Sequence, residues 1–211
     1  MPAEFLVSAL VTLFVVVDPI GLVPTFLGIT HGMPAAARRS VAVRACLIAA
    51  LILAGGALIG DWLLRTLSIT LPAFRIAGGL LLFSIASEMV FGVRIERQTQ
   101  QAEEALEERV RNIAAFPLAI PMMAGPGTIT TVLLLVNLAH GEPVKIITVF
   151  VSYALALLTA WLAMRGADQI SRFAGKTGIH VVTRLLGIIL SALAVQFILN
   201  GLSQSPLFHP A

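Results

Sequence analysis

VDPIGLVPTF, residues Val17–Phe26, breaks an apolar run in the first half of the chain, and PMMAGPGTIT, residues Pro121–Thr130, breaks another in the second half. Each places prolines and glycines, and in the first case a carboxylate, where a hydrophobic helix should be continuous. A helix inside a lipid bilayer has no water to satisfy the backbone groups that such a break frees. Breaks therefore persist only where they are buried in protein or line a cavity. Two of them, in corresponding places of two halves, are the strongest sequence pointer to a transporter's binding site.

The surrounding composition agrees. Of 211 residues, 58% are hydrophobic and 12% charged, with a mean hydropathy of +0.95. Soluble domains carry about 25% charged residues, so the chain reads as an all-α integral membrane protein. The single cysteine, Cys46, lies in an apolar run and excludes an intrachain disulfide. No Lys or Arg precedes Arg38, so the basic start of a secretory signal is missing and the first apolar segment is expected to remain as a span.

Crossing a hydrocarbon core takes about 20 apolar residues. Six transmembrane helices are expected, near Phe5–Thr30, Val41–Leu64, Pro72–Phe91, Ile113–Leu138, Val144–Met164 and Val182–Leu202. Spans 1 and 4 carry the Pro/Gly breaks and run long, as partly unwound helices would. The basic residues alternate between loops. Arg38, Arg39 and Arg44 fall in 31–44, Arg94, Arg97, Arg109 and Arg111 in 93–112, and Arg165, Arg172, Lys176 and Arg184 in 165–184. The other side holds only Arg65, Arg75 and Lys145. The positive-inside rule then makes those three loops cytoplasmic and puts both termini outside. The 93–112 loop also carries Glu96, Glu103, Glu104, Glu107 and Glu108. Glu107 and Glu108 can pair with Arg111 on a short exposed helix joining two halves.

One constant offset lays the third span over the sixth: Arg75 falls on Arg184, Gly78 on Gly187 and Gly92 on Gly201. A slightly different offset brings Asp18-Pro19 onto Gly125-Pro126. Three spans per half is an odd number, so the second half must enter the membrane in the opposite sense. The expected organisation is two inverted three-helix repeats, residues 1–92 and 113–211, joined by the cytoplasmic loop 93–112.

VDPIGLVPTF, RIAGGLLLFSIASEMVFG, PLAIPMMAGPGTITT and RLLGIILSALAVQFILNGL, in this order and over essentially the whole chain, resemble the MarC family of six-span bacterial and archaeal membrane proteins. The resemblance implies a fold grouped with the LysE-type exporters. It also implies, for some members, transport of small neutral amino acids. Relatives often carry Asn after the glycine of the first motif, where this chain has Leu22, so a contact made by that Asn would be absent here.

Asp-Pro is a helix-start signature, with Asp18 as cap and Pro19 as first helical residue. Gly125-Pro126 reads the same way with Gly in the cap position. Each helix start offers free N–H groups and the positive end of a dipole, which suit a carboxylate in a dry interior. Gly21 and Gly127 let a ligand approach the backbone, and Thr25, Thr128 and Thr130 add hydroxyls. The substrate-binding set is thus Asp18, Pro19, Gly21, Thr25, Gly125, Pro126, Gly127, Thr128 and Thr130. Asp18 already brings negative charge to the first start, so Gly125–Thr128 is the better carboxylate turn; the other reading of that turn is a kink that allows close helix packing. Two readings of Asp18 stand side by side: contact with an ammonium or coupling cation, or a cap satisfied by backbone amides. Glu88, ~20 Å along the helix from Arg75, is either a proton-relay residue or a side chain reaching the interface near Arg94. Asp18 and Glu88 are the candidates for proton or ion coupling. Arg75 and Arg184 are expected to anchor to headgroups or cap carbonyls, and Ser84, Asn137, Ser191 and Gln196 to bond between helices.

His31, His140, His180 and His209 sit at span ends or tails and form no metal spacing, and no glycine pair follows a strand as a nucleotide loop would require. No cofactor, metal or nucleic-acid partner is expected, and the lone cysteine and scattered histidines provide no catalytic constellation. The expected function is secondary-active, alternating-access transport of a small zwitterion, glycine- or alanine-like, across the bacterial or archaeal cytoplasmic membrane. Its partners are membrane lipids and the zwitterionic substrate. The coupling ion, H+ or Na+, is left open, and an oligomer is compatible with the sequence. A passive channel for small solutes or ions, or an exporter of other small metabolites or drugs, is the alternative.

Overall fold

The computed structural model describes residues 2–94, 97, 114–139 and 141–205. Most of the charged 93–112 loop, together with His140 and His209, lies outside them. Eight helical segments follow one another: α1 (Pro2–Val17), α2 (Leu22–Ile29), α3 (Ala35–Thr66), α4 (Leu71–Phe91), the π-helical α5 (Ala114–Met123), α6 (Pro126–Leu138), α7 (Pro143–Arg165) and α8 (Ala167–Ser203). No strand occurs among the described residues.

Five stretches are long and apolar enough to cross a membrane: Glu4–Ile29, Ala35–Gly60, Leu71–Phe91, Pro143–Arg165 and Thr177–Ser203. Pro126–Leu138 is a shorter apolar helix beside them. The fourth expected span is therefore not one α-helix but α5 and α6 in sequence. Pro117 and Pro121 each withdraw an N–H donor, and a proline ring crowds the carbonyl one turn back. Widening the helix relieves that crowding, and Ala124 N–H donates to Ala119 O, five residues back, at 2.8 Å. α8 also begins earlier than the expected 182–202. It is bent at Gly175, whose backbone (φ 61°, ψ 177°) no helix contains, and its apolar part starts only at Thr177.

The outer surface is apolar. Leu51 and Leu58 are each 74% exposed and Phe91 75%, with Leu47, Trp62, Leu185 and Ile188 also bare. Water would not tolerate such a surface over a whole bundle, whereas lipid chains would. The interior is built from α1, α2, α3, α5, α6 and α7 around Leu13, Phe26, Leu53, Met123 and Met164.

The most extensive helix pairing is α4 against α8, and glycines allow it. A Cβ on Gly79 would stand 2.7 Å from Ala194 O, one on Gly201 2.8 Å from Pro72 O, and one on Gly187 3.1 Å from Ala86 O. Backbones this close are the small-residue packing that replaces hydrophobic driving force inside a bilayer. The two helices run antiparallel, and an arginine stands at each end of the pair. Buried Arg75 donates from Nη1 to Gln204, the cap residue of α8. A Cβ on Gly92, the left-handed cap of α4, would stand 3.1 Å from Arg184 Nη2. Each cation thus meets the negative end of the other helix.

Three of the four polar side chains expected to link helices bond within their own helix instead, and Ser84 lines a cavity. Asn137 donates to Leu133 O, Ser191 to Gly187 O and Gln196 to Asn200 Oδ1, all four residues away on their own helices. A nearby backbone carbonyl satisfies such a side chain at less entropic cost than a partner across an interface.

Candidate functional site

At the first break the chain turns on Asp18, which takes a left-handed φ of 50°. Its N–H closes α1 by donating to Phe14 O at 3.0 Å, and its carbonyl accepts from Leu22 N–H at 3.2 Å. Its Oδ1 accepts from Gly21 N–H at 3.0 Å. The carboxylate thus closes the turn Asp18–Gly21, but α2 starts only at Leu22, with Gly21 as its cap residue and no side-chain cap bond. Asp18 is therefore not the helix cap, and Pro19 not the first helical residue, that the Asp-Pro pair suggests. The carboxylate leans directly over Gly21, where any Cβ would overlap Oδ2. Asp18 is 1% exposed and Oδ2 has no hydrogen-bond partner. Thr25, 1% exposed, leaves its Oγ1 unpaired as well.

At the second break Gly125 is extended (φ −79°, ψ 174°) and Pro126 opens α6. The first bond of the helix runs from Ile129 N–H to Gly125 O at 3.0 Å. Gly127 and Thr128 precede it, so their N–H groups have no carbonyl partner inside the helix. Gly127 packs against Ile85 of α4, where a Cβ would collide with the Cδ1. Thr130 points elsewhere, its Cγ2 lying 2.6 Å from where a Cβ on Gly78 would stand.

A cavity of about 180 Å³ opens at this helix start. Gly125, Pro126, Gly127 and Thr128 form one wall, Leu81, Ser84, Ile85 and Glu88 of α4 the opposite one, and Val16, Met122, Arg94 and Arg97 complete it. Glu88 Oε1 pairs with Arg97 Nη1, while its Oε2 is buried without a partner. Arg94 lies just past the α4 cap. The left-handed turn at Gly92 (φ 83°) folds the chain back, and the Arg94 side chain re-enters the protein. Its Nη2 donates to Val16 O at 3.1 Å. Burial pulls the Arg94 pKa down, the Asp18 and Glu88 carboxylates pull it back up, and Arg97 opposes them. A guanidinium starts so high that it stays charged.

The structure thus gathers Gly125, Pro126, Gly127, Thr128 and Glu88 around one cavity. Asp18 does not line the cavity, and its electrostatic influence falls on Arg94, which does. Pro19, Gly21, Thr25 and Thr130 are buried but do not line it. Arg94 and Arg97, read from the sequence as members of a basic loop, are part of its wall. The hints were the expected nearness of Glu88 to Arg94 and the position of both arginines right after Phe91-Gly92, a helix-ending pair.

Over residues 3–205 the chain matches the family described as MarC family integral membrane protein. It is 37% identical to the UPF0056 membrane protein YhcE of Escherichia coli over 90% of this chain and 88% of that one. It is 36% identical to a UPF0056 membrane protein of Aquifex aeolicus, covering 94% and 92%, and 35% identical to YvbG of Bacillus subtilis, covering 96% of both. No solved structure matches it. With its described residues helical, a lipid-compatible surface and relatives matched over most of its length, the chain belongs to the MarC family of multi-pass integral membrane proteins.

Proposed function

We propose that the chain is a secondary transporter of small neutral amino acids, glycine- or alanine-like, working by alternating access across the cytoplasmic membrane. The observation that carries this reading is the cavity at the α6 start. It joins free backbone N–H groups, guanidinium groups and a half-free carboxylate in about 180 Å³. Drug-sized ligands occupy pockets of about 300–1,000 Å³, so the space favours a small solute over a large hydrophobic drug. A zwitterion offers one charge for each kind of partner. Gly125–Thr128 receives the carboxylate, and Glu88 faces the ammonium in the place first considered for Asp18. Asp18, with Pro19, Gly21, Thr25 and Thr130 around the broken helices, forms the supporting layer.

The alternating-access part rests on two repeats, 1–92 and 113–211, of opposite sense. The pairing of elements supports it. α1 and α2 lie on α7 as α5 and α6 lie on α3, and α2 lies on α8 as α6 lies on α4. The arginine at each end of the α4–α8 pair follows the same exchange. In this account the loops 31–44, 93–112 and 165–184 face the cytoplasm and lipid surrounds the bundle.

The test is uptake of labelled glycine and alanine into proteoliposomes, with Gly125→Leu beside the wild type. Gly125 has an extended backbone open to any residue, so leucine strains no backbone angle there and adds its bulk at the cavity wall. Saturable uptake lost in the variant is the expected result. Saturable uptake that survives it would place the site elsewhere.

A further inference from the structure

Two arginines are buried among the described residues, and they are placed differently. Arg75 is 3% exposed and its Nη1 is committed to Gln204. Arg94 is 6% exposed, and its Nη1 is a buried donor with no partner, on a group that lines the cavity at the α6 start. A guanidinium donor left unpaired out of water is costly, and an anionic oxygen removes that cost.

The first break explains how Arg94 is held. In an unbroken helix Val16 O would accept from Ile20 N–H, but the chain has left the helix at Asp18, and Pro19 has no N–H to offer instead. The freed carbonyl is taken by Arg94 Nη2 at 3.1 Å. A planar guanidinium fixed at one nitrogen is fixed in orientation as a whole. Arg94 lines the same cavity as Glu88, Gly127 and Thr128; its Nη1 and Glu88 Oε2 are buried without partners, and the Gly127 and Thr128 N–H groups have no carbonyl partner inside α6.

We propose that Arg94 is the carboxylate anchor of this site. Its Nη1 and the α6 start together take the ligand's carboxylate while its Nη2 stays on Val16, and Glu88 Oε2 receives the ammonium. The ligand class is then the small α-amino acid with both ends uncapped. This deepens the transport reading and rests on it. It gives the first break a task that is not direct contact: it supplies the carbonyl that aims Arg94 at the second break.

The experiment uses the purified full chain, wild type, Arg94→Gln and Arg94→Lys. Labelled glycine uptake is competed by unlabelled glycine, glycinamide (no carboxylate) and propionate (no ammonium). Thermal unfolding in detergent is followed with the same three compounds. On the wild type, glycine competes fully, propionate weakly, and glycinamide not at all. Arg94→Gln raises KM ~10- to 100-fold with a smaller change in kcat, and Arg94→Lys, which keeps the charge but loses the fork, falls between. Equal competition by glycinamide and glycine on the wild type overturns the proposal without any variant, even if Arg94→Gln does not fold. A folded Arg94→Gln with unchanged KM overturns it too. Stabilisation of the wild type by glycine and propionate, lost in Arg94→Gln and unaccompanied by uptake, keeps the anchor and removes the transport reading. Neither uptake nor stabilisation removes both.

Discussion

Gly21→Ala separates a carboxylate that caps its own turn from one that merely happens to be buried. The backbone of Gly21 is ordinary right-handed helix, φ −64° and ψ −23°. Alanine is therefore compatible with it and, by restricting the unfolded chain, would stabilise by about 0.4–1 kcal/mol if nothing else changed. In this fold the new methyl overlaps Asp18 Oδ2. The carboxylate must swing away, and the bond from Gly21 N–H to Oδ1 is lost. A hydrogen bond to a charged group contributes about 1.5–3 kcal/mol, with side-chain bonds inside membranes nearer 0.6–1.7 kcal/mol. The loss outweighs the gain, for a net cost of about 1 kcal/mol. For a chain of this length that lowers Tm by about 2–4 °C. Thermal unfolding of the detergent-purified protein reads it. Made in an Asp18→Ala background, the same change meets no carboxylate and should be neutral or slightly stabilising, so the cycle shows a coupling of opposite sign to simple additivity. A Gly21→Ala protein as stable as the wild type would refute the capping geometry at the first break.

Two further outcomes follow from the packing and the topology. Gly201→Leu forces a side chain into the Pro72 and Ile76 backbone of α4 and should cost about 1–3 kcal/mol or prevent folding, whereas Gly55→Leu, with nothing within 4 Å of its Cβ, should change Tm little. In a Cys46→Ser background, His31→Cys should react with a membrane-impermeant maleimide only from the cytoplasmic side and Glu142→Cys only from outside; the reverse pattern would invert the proposed orientation.

The order of the helices and both breaks could be read from the sequence because they depend on local chemistry: apolar length, proline and glycine. The expectation that Arg75 and Arg184 reach helix caps is met at the two ends of the α4–α8 pair. The π-helical entry of α5 was not legible. PLAIP announces two missing donors, but not whether the chain kinks or widens in response. Arg94 was missed for a different reason. In sequence it stands among Arg97, Arg109 and Arg111 and shares their composition, and nothing local marks it as buried just past the left-handed turn at Gly92. Asp18 was legible as a turn-former but not as one that leaves the helix start to Gly21, and its absence from the cavity lining was not legible at all. Long-range placement of a charge is set by which helix packs where, and no local pattern carries that.

The most direct test of the central claim compares labelled glycine uptake into proteoliposomes that are empty or preloaded with unlabelled glycine. A carrier that alternates between two faces returns faster with cargo, so preloading should accelerate saturable uptake, and alanine inside should substitute for glycine. Uptake that is linear in glycine concentration and indifferent to preloading would contradict the account and identify a passive pore.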